Sequence, residues 1–333
     1  MQVTFLAEGD CDPAAPSPVS MAWIPGGLFT MGSDRHYPEE APAHRVAVDG
    51  FFIDRTPVTN RAFAAFVAAT GYRTLAEREP RAEDYPDADP RLLAPGSLVF
   101  TAPEAPVARE DWTRWWRFVP GADWRHPQGP GSGVDDRLDH PVVHVAHEDA
   151  LAYAHWCGKE LPSEAEWEFA ARGGLDGAEF AWGETLVLGG LHRANTWQGM
   201  FPHENLGEDG YIGTSPVLAF PANGYGLFDM IGNVWEWTDD WYAPSHGETL
   251  PAAKPCCVSR NPRGARRADS LDLFAPGRPL PRKVLKGGSH LCAPSYCRRY
   301  RPAARHPQTL DTASVHIGFR CIRRVGSPDF PRA

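Results

Sequence analysis

The stretch KGGSHLCAPSYCRRYRPAAR, residues 286–305, places Cys292 and Cys297 five positions apart, behind a Gly-Gly-Ser and ahead of an arginine run. This is not the Cys-x-x-Cys spacing of a redox motif or a zinc knuckle. On a helix the two side chains would diverge by roughly 140°. Pro294 and Ser295 predict a loop instead, and a loop can turn both sulfurs inward. Two convergent thiolates suit a soft, low-coordinate cation such as Cu(I), or an exchangeable disulfide. Two buried cysteines can also serve as small hydrophobes. Spacing alone leaves all three open.

Other segments offer hard ligands. ANTWQGMFPHENLGEDGYIG, 194–213, carries Asn195, Glu208 and Asp209, and FDMIGNVWEWTDDW, 228–241, carries Asp229, Asn233 and Glu236. Calcium takes roughly six to eight oxygens, many from backbone carbonyls in loops of this kind. The same residue types also build Asx-turns and helix caps, and neither segment fits an EF-hand. In HPVVHVAHED, His140 and His144 would share a helix face, with His147 following. Pro141 and the valines predict extended chain, where that geometry is lost and the imidazoles are structural. Arg298, Arg299, Arg301 and Arg305 are expected to pair with carboxylates inside the fold rather than to attract phosphate.

A chain of 333 residues with net charge -9 must position these groups. It is long enough to bury a core without disulfide staples. Its acidity argues against nucleic acid or an anionic membrane as partner. No stretch approaches the ~20 apolar residues of a membrane span. The N-terminus lacks the pattern of a secretory signal, and the seven cysteines are irregularly spaced. A cytoplasmic protein with mostly free thiols is the expectation. MAWIPGGLFTMGSD and HRVAVDGFFIDRTPVT read as short strands. TPVTNRAFAAFVAATGY reads as a helix capped by Thr59 or Asn60 and stopped at Gly71, HEDALAYAHWCGK as a second, and SEAEWEFAARGG as a third. In the third, Ser163 and Glu166 form a capping box and Gly173 is the stop. Residues 75–135 read as a long ordered excursion with little regular structure. The predicted fold is α+β: one compact domain, 20–325, with sparse secondary structure, between an N-terminal extension, 1–19, and a tail, 326–333.

Taken together, GGLFTMGSD, GYRTLAE, WRHPQGPGS, GKELPSEAEWEFAARGGLDG, ANTWQGMFP, NGYGLFDMIGNVWEWTDDWY, LKGGSHLCAPSYCRRYRPAAR and HIGFRC, in this order, resemble the formylglycine-generating enzymes, or sulfatase-modifying factors. That family is similar to a broader lectin-like fold. The resemblance implies that Cys292 and Cys297 are a catalytic pair binding Cu(I) as a bis-thiolate. It implies a copper-dependent oxidase that uses O2 to convert the cysteine of Cys-x-Pro-x-Arg, in an unfolded sulfatase peptide, to Cα-formylglycine. Ser289, Tyr296 and Trp235 fall on positions lining the oxygen pocket, and His316 on a substrate-cleft position. Structural calcium maps onto Asn195, the Thr196 carbonyl, Asp209 and the Tyr211 carbonyl, and a second site onto Asp229, Gly232, Val234 and Glu236. Ala154, Ala171 and Pro302 stand where secreted eukaryotic relatives carry structural cysteines, which points to a bacterial, cytosolic type. A monomer is the expectation. Cys11, Cys157, Cys256 and Cys257 receive no role.

Three rivals are weighed. A non-catalytic, lectin-like relative would be expected to lack the cysteine pair. An iron-dependent sulfoxide synthase would be expected to carry its ligands in an added N-terminal domain, for which some 20 residues leave no room. A metal-free thiol oxidase would work through a Cys292–Cys297 disulfide.

Overall fold

The computed structural model describes residues 21–85, 89, 93–248, 258–273 and 279–326. The extension 1–19, most of the tail, and Cys11, Cys256 and Cys257 lie outside these. The two N-terminal strand stretches fold as β1 (Met21–Ile24), β2 (Gly27–Met31), β3 (His44–Val48) and β4 (Phe51–Asp54). Helix α1 (Asn60–Thr70) starts where the Thr59 hydroxyl accepts the Ala62 N–H and stops at Gly71, whose φ is 69°. Helix α2 spans His147–Trp156 and α3 Glu164–Arg172. At the start of α3, Ser163 and Glu166 close the reciprocal cap, and Gly173 ends the helix in the left-handed region.

The excursion after α1 is more regular than its composition suggests. It holds a hairpin of β5 (Gly96–Phe100) and β6 (Trp116–Pro120) in antiparallel register. A small hairpin, β7 (Val187–Leu188) and β8 (Leu191–His192), follows α3. The remaining strands are β9 (Trp235–Trp241), β10 (Ser259–Arg260), β11 (Arg282–Lys286), β12 (Arg305–Thr309), β13 (Ile317–Gly318) and β14 (Ile322–Arg324). They assemble into sheets ordered β1-β4-β14, β10-β3-β2 and β12-β11-β9-β13. β14 closes the first sheet against β4, so the last described strand returns to the first sheet.

The architecture is a single α+β domain. Phe63, Phe66, Tyr153, Trp237 and Phe319 centre one buried cluster that also contains Trp235 and Cys292, with Cys297 packed at its edge. The thiol loop is therefore anchored in the main core. Among the described cysteines Cys292, Cys297 and Cys321 are free, whereas Cys157 is disulfide-bonded, which corrects the expectation of free thiols at that position. Among the described residues, no helix is long and apolar enough to cross a membrane.

The arginine run pairs with carboxylates as expected, with Arg301 and Arg305 buried, Arg299 partly buried and Arg298 at the surface. Arg298 reaches Glu179 at 2.6 Å, Arg299 reaches Glu39 at 2.6 Å, Arg301 holds Glu40, and Arg305 reaches Glu164 at 2.8 Å.

Candidate active site

β11 delivers the chain to Gly287 and Gly288, both at positive φ. A Cβ on Gly288 would lie 2.8 Å from the Tyr300 nitrogen and 2.9 Å from the Arg299 carbonyl oxygen, so only glycine lets the two arms of the loop cross there. Ser289 follows, fully buried. Its backbone N–H points at Cys292 Sγ at 3.4 Å, and its hydroxyl accepts the Leu291 N–H. The Cys297 N–H closes a turn on the Ala293 carbonyl at 2.9 Å. That turn brings Cys297 Sγ to 3.3 Å from Cys292 Sγ. The loop predicted from Pro294 does converge the thiols.

The two sulfurs have unequal surroundings. Cys292 is 2% exposed, and burial pushes its thiol well above the ordinary range. Cys297 is displaced downward by the hydrogen bond from Cys292, aided by Arg299, whose Nη1 lies 3.9 Å from its sulfur. Arg299 is itself clamped, stacked 3.8 Å from the Tyr37 ring and bound to Glu39. The pair thus favours one shared proton, a buried thiol donating to a guanidinium-flanked thiolate. A soft cation that replaces that proton fits the donor set.

Tyr296 is half-exposed beside the pair and lies face to face with Phe201, with ring centroids 4.4 Å apart. Trp235 is buried in the cluster that holds Cys292 and stacks on His306 at 5.6 Å. The Trp235 N–H donates to the His316 carbonyl, and the His316 ring hydrogen-bonds the Ser314 hydroxyl and lies 4.9 Å from Trp116. Ser289, Tyr296, Trp235 and His316 are thus joined to the thiol loop by sequence, packing or hydrogen bonds. Sequence reasoning missed the bracket of Tyr37 and Glu39, which only tertiary packing reveals, and His306, which no motif marks.

The two oxygen-rich loops brace this site. Trp197 N–H donates to the Cys292 carbonyl, His290 N–H to the Asn233 carbonyl, and Asn233 N–H to the Asn195 carbonyl. In the first set the Asn195 side-chain oxygen is buried without a hydrogen-bond partner. The Gln198 amide bridges the Thr196 carbonyl and Asp209 Oδ2, among acceptors that a hard cation would share. These residues fit calcium. In the second set Asp229, at φ 54°, has only long bonds of 3.3 and 3.4 Å, and burial pushes its carboxyl up to about 6. Glu236 already accepts three hydrogen bonds, from Arg320 Nε and the Trp167 indole on Oε2 and from Arg320 Nη2 on Oε1, which leaves a lone pair on Oε1. Among the described residues, no cluster of three or more His, Cys, Asp or Glu is disposed for a metal. His144 is structural, its ring held between the Ser97 hydroxyl and the Pro127 carbonyl.

Burial keeps many imidazoles neutral. It lowers His144, His290 and His306 to about 4, and His147 and His246 to about 3, from an ordinary 6.5. In the unfolded chain each takes a proton near 6.5, so between the two values the unfolded state binds more protons. This stability is fully present above the unfolded value and is lost as pH falls toward the folded ones. Asp149 and Asp229, raised to about 6, act oppositely but are fewer. The melting temperature at pH 5 is expected to lie at least about 5 °C below that at pH 7.5. Calorimetry showing equal values would contradict this.

The sheet arrangement and the long ordered loops define a formylglycine-generating-enzyme-like fold. The solved structure of PvdO from Pseudomonas aeruginosa matches it with a TM-score of 0.60 at 24% identity, covering 92% of this chain and 94% of that one. The sulfatase-modifying factor enzyme 1-like domain matches residues 8–325, and the chain belongs to that family. It is 54% identical over 299 residues to the formylglycine-generating enzyme of Mycobacterium tuberculosis, covering 90% of this chain and 96% of the relative. It is 49% identical over 308 residues to the formylglycine-generating enzyme of Thermomonospora curvata, with 90% and 92% covered.

Proposed function

We propose that this chain is an oxidase that activates sulfatases by converting the cysteine of an unfolded Cys-x-Pro-x-Arg segment to Cα-formylglycine, with O2 as oxidant and Cu(I) as cofactor. The observation that supports it best is the Sγ–Sγ separation of 3.3 Å in a loop anchored by the core. Cys292 and Cys297 would hold the metal, which supplies thiolate capture and O2 activation when bound. The chain's own residues supply the rest. Arg299 holds Cys297 as the charged partner, and Ser289 N–H steadies Cys292. Burial of Cys292 and Trp235 keeps water from the reacting atoms. Tyr296 and His316 would orient the peptide. The overall change removes two hydrogens, one from Cβ and one from the thiol, to give a thioaldehyde, O2 accepting the two electrons and two protons; water then supplies the carbonyl oxygen and the sulfur leaves as hydrogen sulfide.

Such a site must act on an extended segment. A target thiol has to reach a sulfur only 2% exposed, so contacts remote from the reacting carbon must position it. In a competition assay a motif peptide is expected to be converted at least about a hundredfold faster than a scrambled cysteine peptide, with the Arg→Ala variant between them. Equal conversion of motif and scrambled peptides would withdraw the sulfatase assignment.

Calcium is proposed as structural, at Asn195, Thr196, Asp209 and Tyr211. Metal bound only to the native state stabilises it by mass action. Asp209→Ala is expected to lower the melting temperature in calcium by several degrees and to abolish the difference between calcium and chelator. Wild-type protein melting identically in both would leave this set without a metal.

A further inference from the structure

One face of the sheet β12-β11-β9-β13 packs into the cluster that holds Cys292. Antiparallel register sets His306 opposite Leu285 and Leu285 opposite Trp237, and parallel register sets Ile317 beside Trp235. Residues paired across strands share a face, and Trp235 and Trp237 share one because they lie two apart. Leu285, Trp235, Trp237 and Ile317 all belong to the buried cluster. His306 is the polar member of that group. Its ring stacks on Trp235, is half-buried, and among the described residues has no hydrogen-bond partner on either nitrogen. Neither nitrogen is fully buried, so both remain accessible to water. Two other imidazoles near the site are committed, His290 to the Asn233 carbonyl and His316 to the Ser314 hydroxyl. Burial, reinforced by Arg299, lowers His306 to about 4, so the ring is neutral at neutral pH and one nitrogen is an acceptor.

We infer that His306 is a further catalytic residue, the group that holds and activates the water that hydrolyses the thioaldehyde. The inference rests on the reading of the thiol pair as the centre that oxidises a peptide cysteine. The two halves of that reaction make opposite demands. Oxidation proceeds where burial keeps water out, whereas hydrolysis needs one water at the same carbon. A water held beside an apolar cluster needs polar partners, and on this face His306 supplies one. As the water oxygen bonds to the thioaldehyde carbon, the imidazole takes one of its protons and the carbon–sulfur π pair moves to sulfur. The adduct then collapses to the carbonyl as the remaining carbon–sulfur bond breaks. Both protons of the water leave on sulfur as hydrogen sulfide, one from the imidazolium and one from the hydroxyl, and the ring is neutral again. No electrons are exchanged with an outside acceptor in this half. Stability gives no reason for the imidazole, since an apolar ring of similar size would pack on Trp235 without a polar edge to desolvate.

The test follows a single turnover of a Cys-x-Pro-x-Arg peptide by the full chain with Cu(I) in air. Loss of the peptide thiol and release of sulfide are timed together, and acid-quenched samples are weighed by mass spectrometry. In the wild type, sulfide is expected to keep pace with thiol loss. In His306→Phe it is expected to lag at least about tenfold, with a peptide two hydrogens lighter accumulating. His306→Gln, whose amide oxygen still accepts a hydrogen bond, is expected to recover part of the loss. The ratio of the two rates does not depend on how much of a variant is folded, and His306→Phe is expected to melt no lower than the wild type. Thiol loss with sulfide keeping pace in His306→Phe overturns the role of His306 and leaves the oxidase reading intact, and a lower melting temperature beside that unchanged ratio would make the ring structural. A wild type that leaves the thiol intact removes the oxidase reading and the role of His306 with it.

Discussion

Replacing Cys292 or Cys297 by Ser is expected to lower turnover of a Cys-x-Pro-x-Arg peptide by at least about a thousandfold, with the fold preserved. A hydroxyl matches the thiol closely in shape but is too hard a ligand for a soft cation, and it stays protonated where Cys297 would not. At position 292 the Ser289 N–H still meets an acceptor, so the loop keeps its turn. Cys321 provides the contrast: it is buried and free, belongs to the segment that follows β13, and takes a backbone position bonded to Asp54. Cys321→Ala is expected to retain turnover. Assays of the three variants beside their circular dichroism spectra separate loss of chemistry from loss of fold. Full activity in both Ser variants would exclude the pair as the reacting centre.

Arg320→Met is expected to be the most destabilising single change, by about 3–5 kcal/mol, because it leaves the Glu236 carboxylate buried and uncompensated. Arg320 is fully buried and donates to Glu236 at 2.7 and 2.8 Å, to the Asp54 and Arg55 carbonyls, and to those of Phe228 and Asp229. It ties the end of β4, the second oxygen-rich loop and β9 into one unit beneath the thiol site. Adding Glu236→Gln to Arg320→Met should recover part of the loss, since the stranded charge is then gone. Denaturant unfolding of the two variants and the wild type measures this. A double variant no more stable than the single one would mean that the carbonyl contacts, not the ion pair, carry the stability.

What was legible in the sequence was local. The cap and stop of α3 are written within eleven residues, Ser163 to Gly173, and the structure forms them as read. The thiol loop was legible because Pro294 and Ser295 favour a loop over a helix that would separate the sulfurs, and because the surrounding motif is long and specific. Strand β9 was not, because WEWTDDW is nearly continuously buried and shows no simple alternation. β5 and β6 hid in a Pro- and Asp-rich excursion, where pairing across a long connection outweighs composition. The Arg299–Glu39 contact joins positions 260 apart, a distance at which no spacing rule operates. The Arg320–Glu236 ion pair was not legible either, because only the pairing of β9 with β13 sets Arg320 opposite that carboxylate.

Incubation of the wild-type chain with a Cys-x-Pro-x-Arg peptide, Cu(I) and air, followed by mass spectrometry of the peptide, tests the central claim most directly. The predicted result is a product in which a carbonyl oxygen has replaced the thiol sulfur with loss of two hydrogens, formed in air and not under nitrogen. A peptide recovered unchanged, or recovered only as its disulfide, would contradict it.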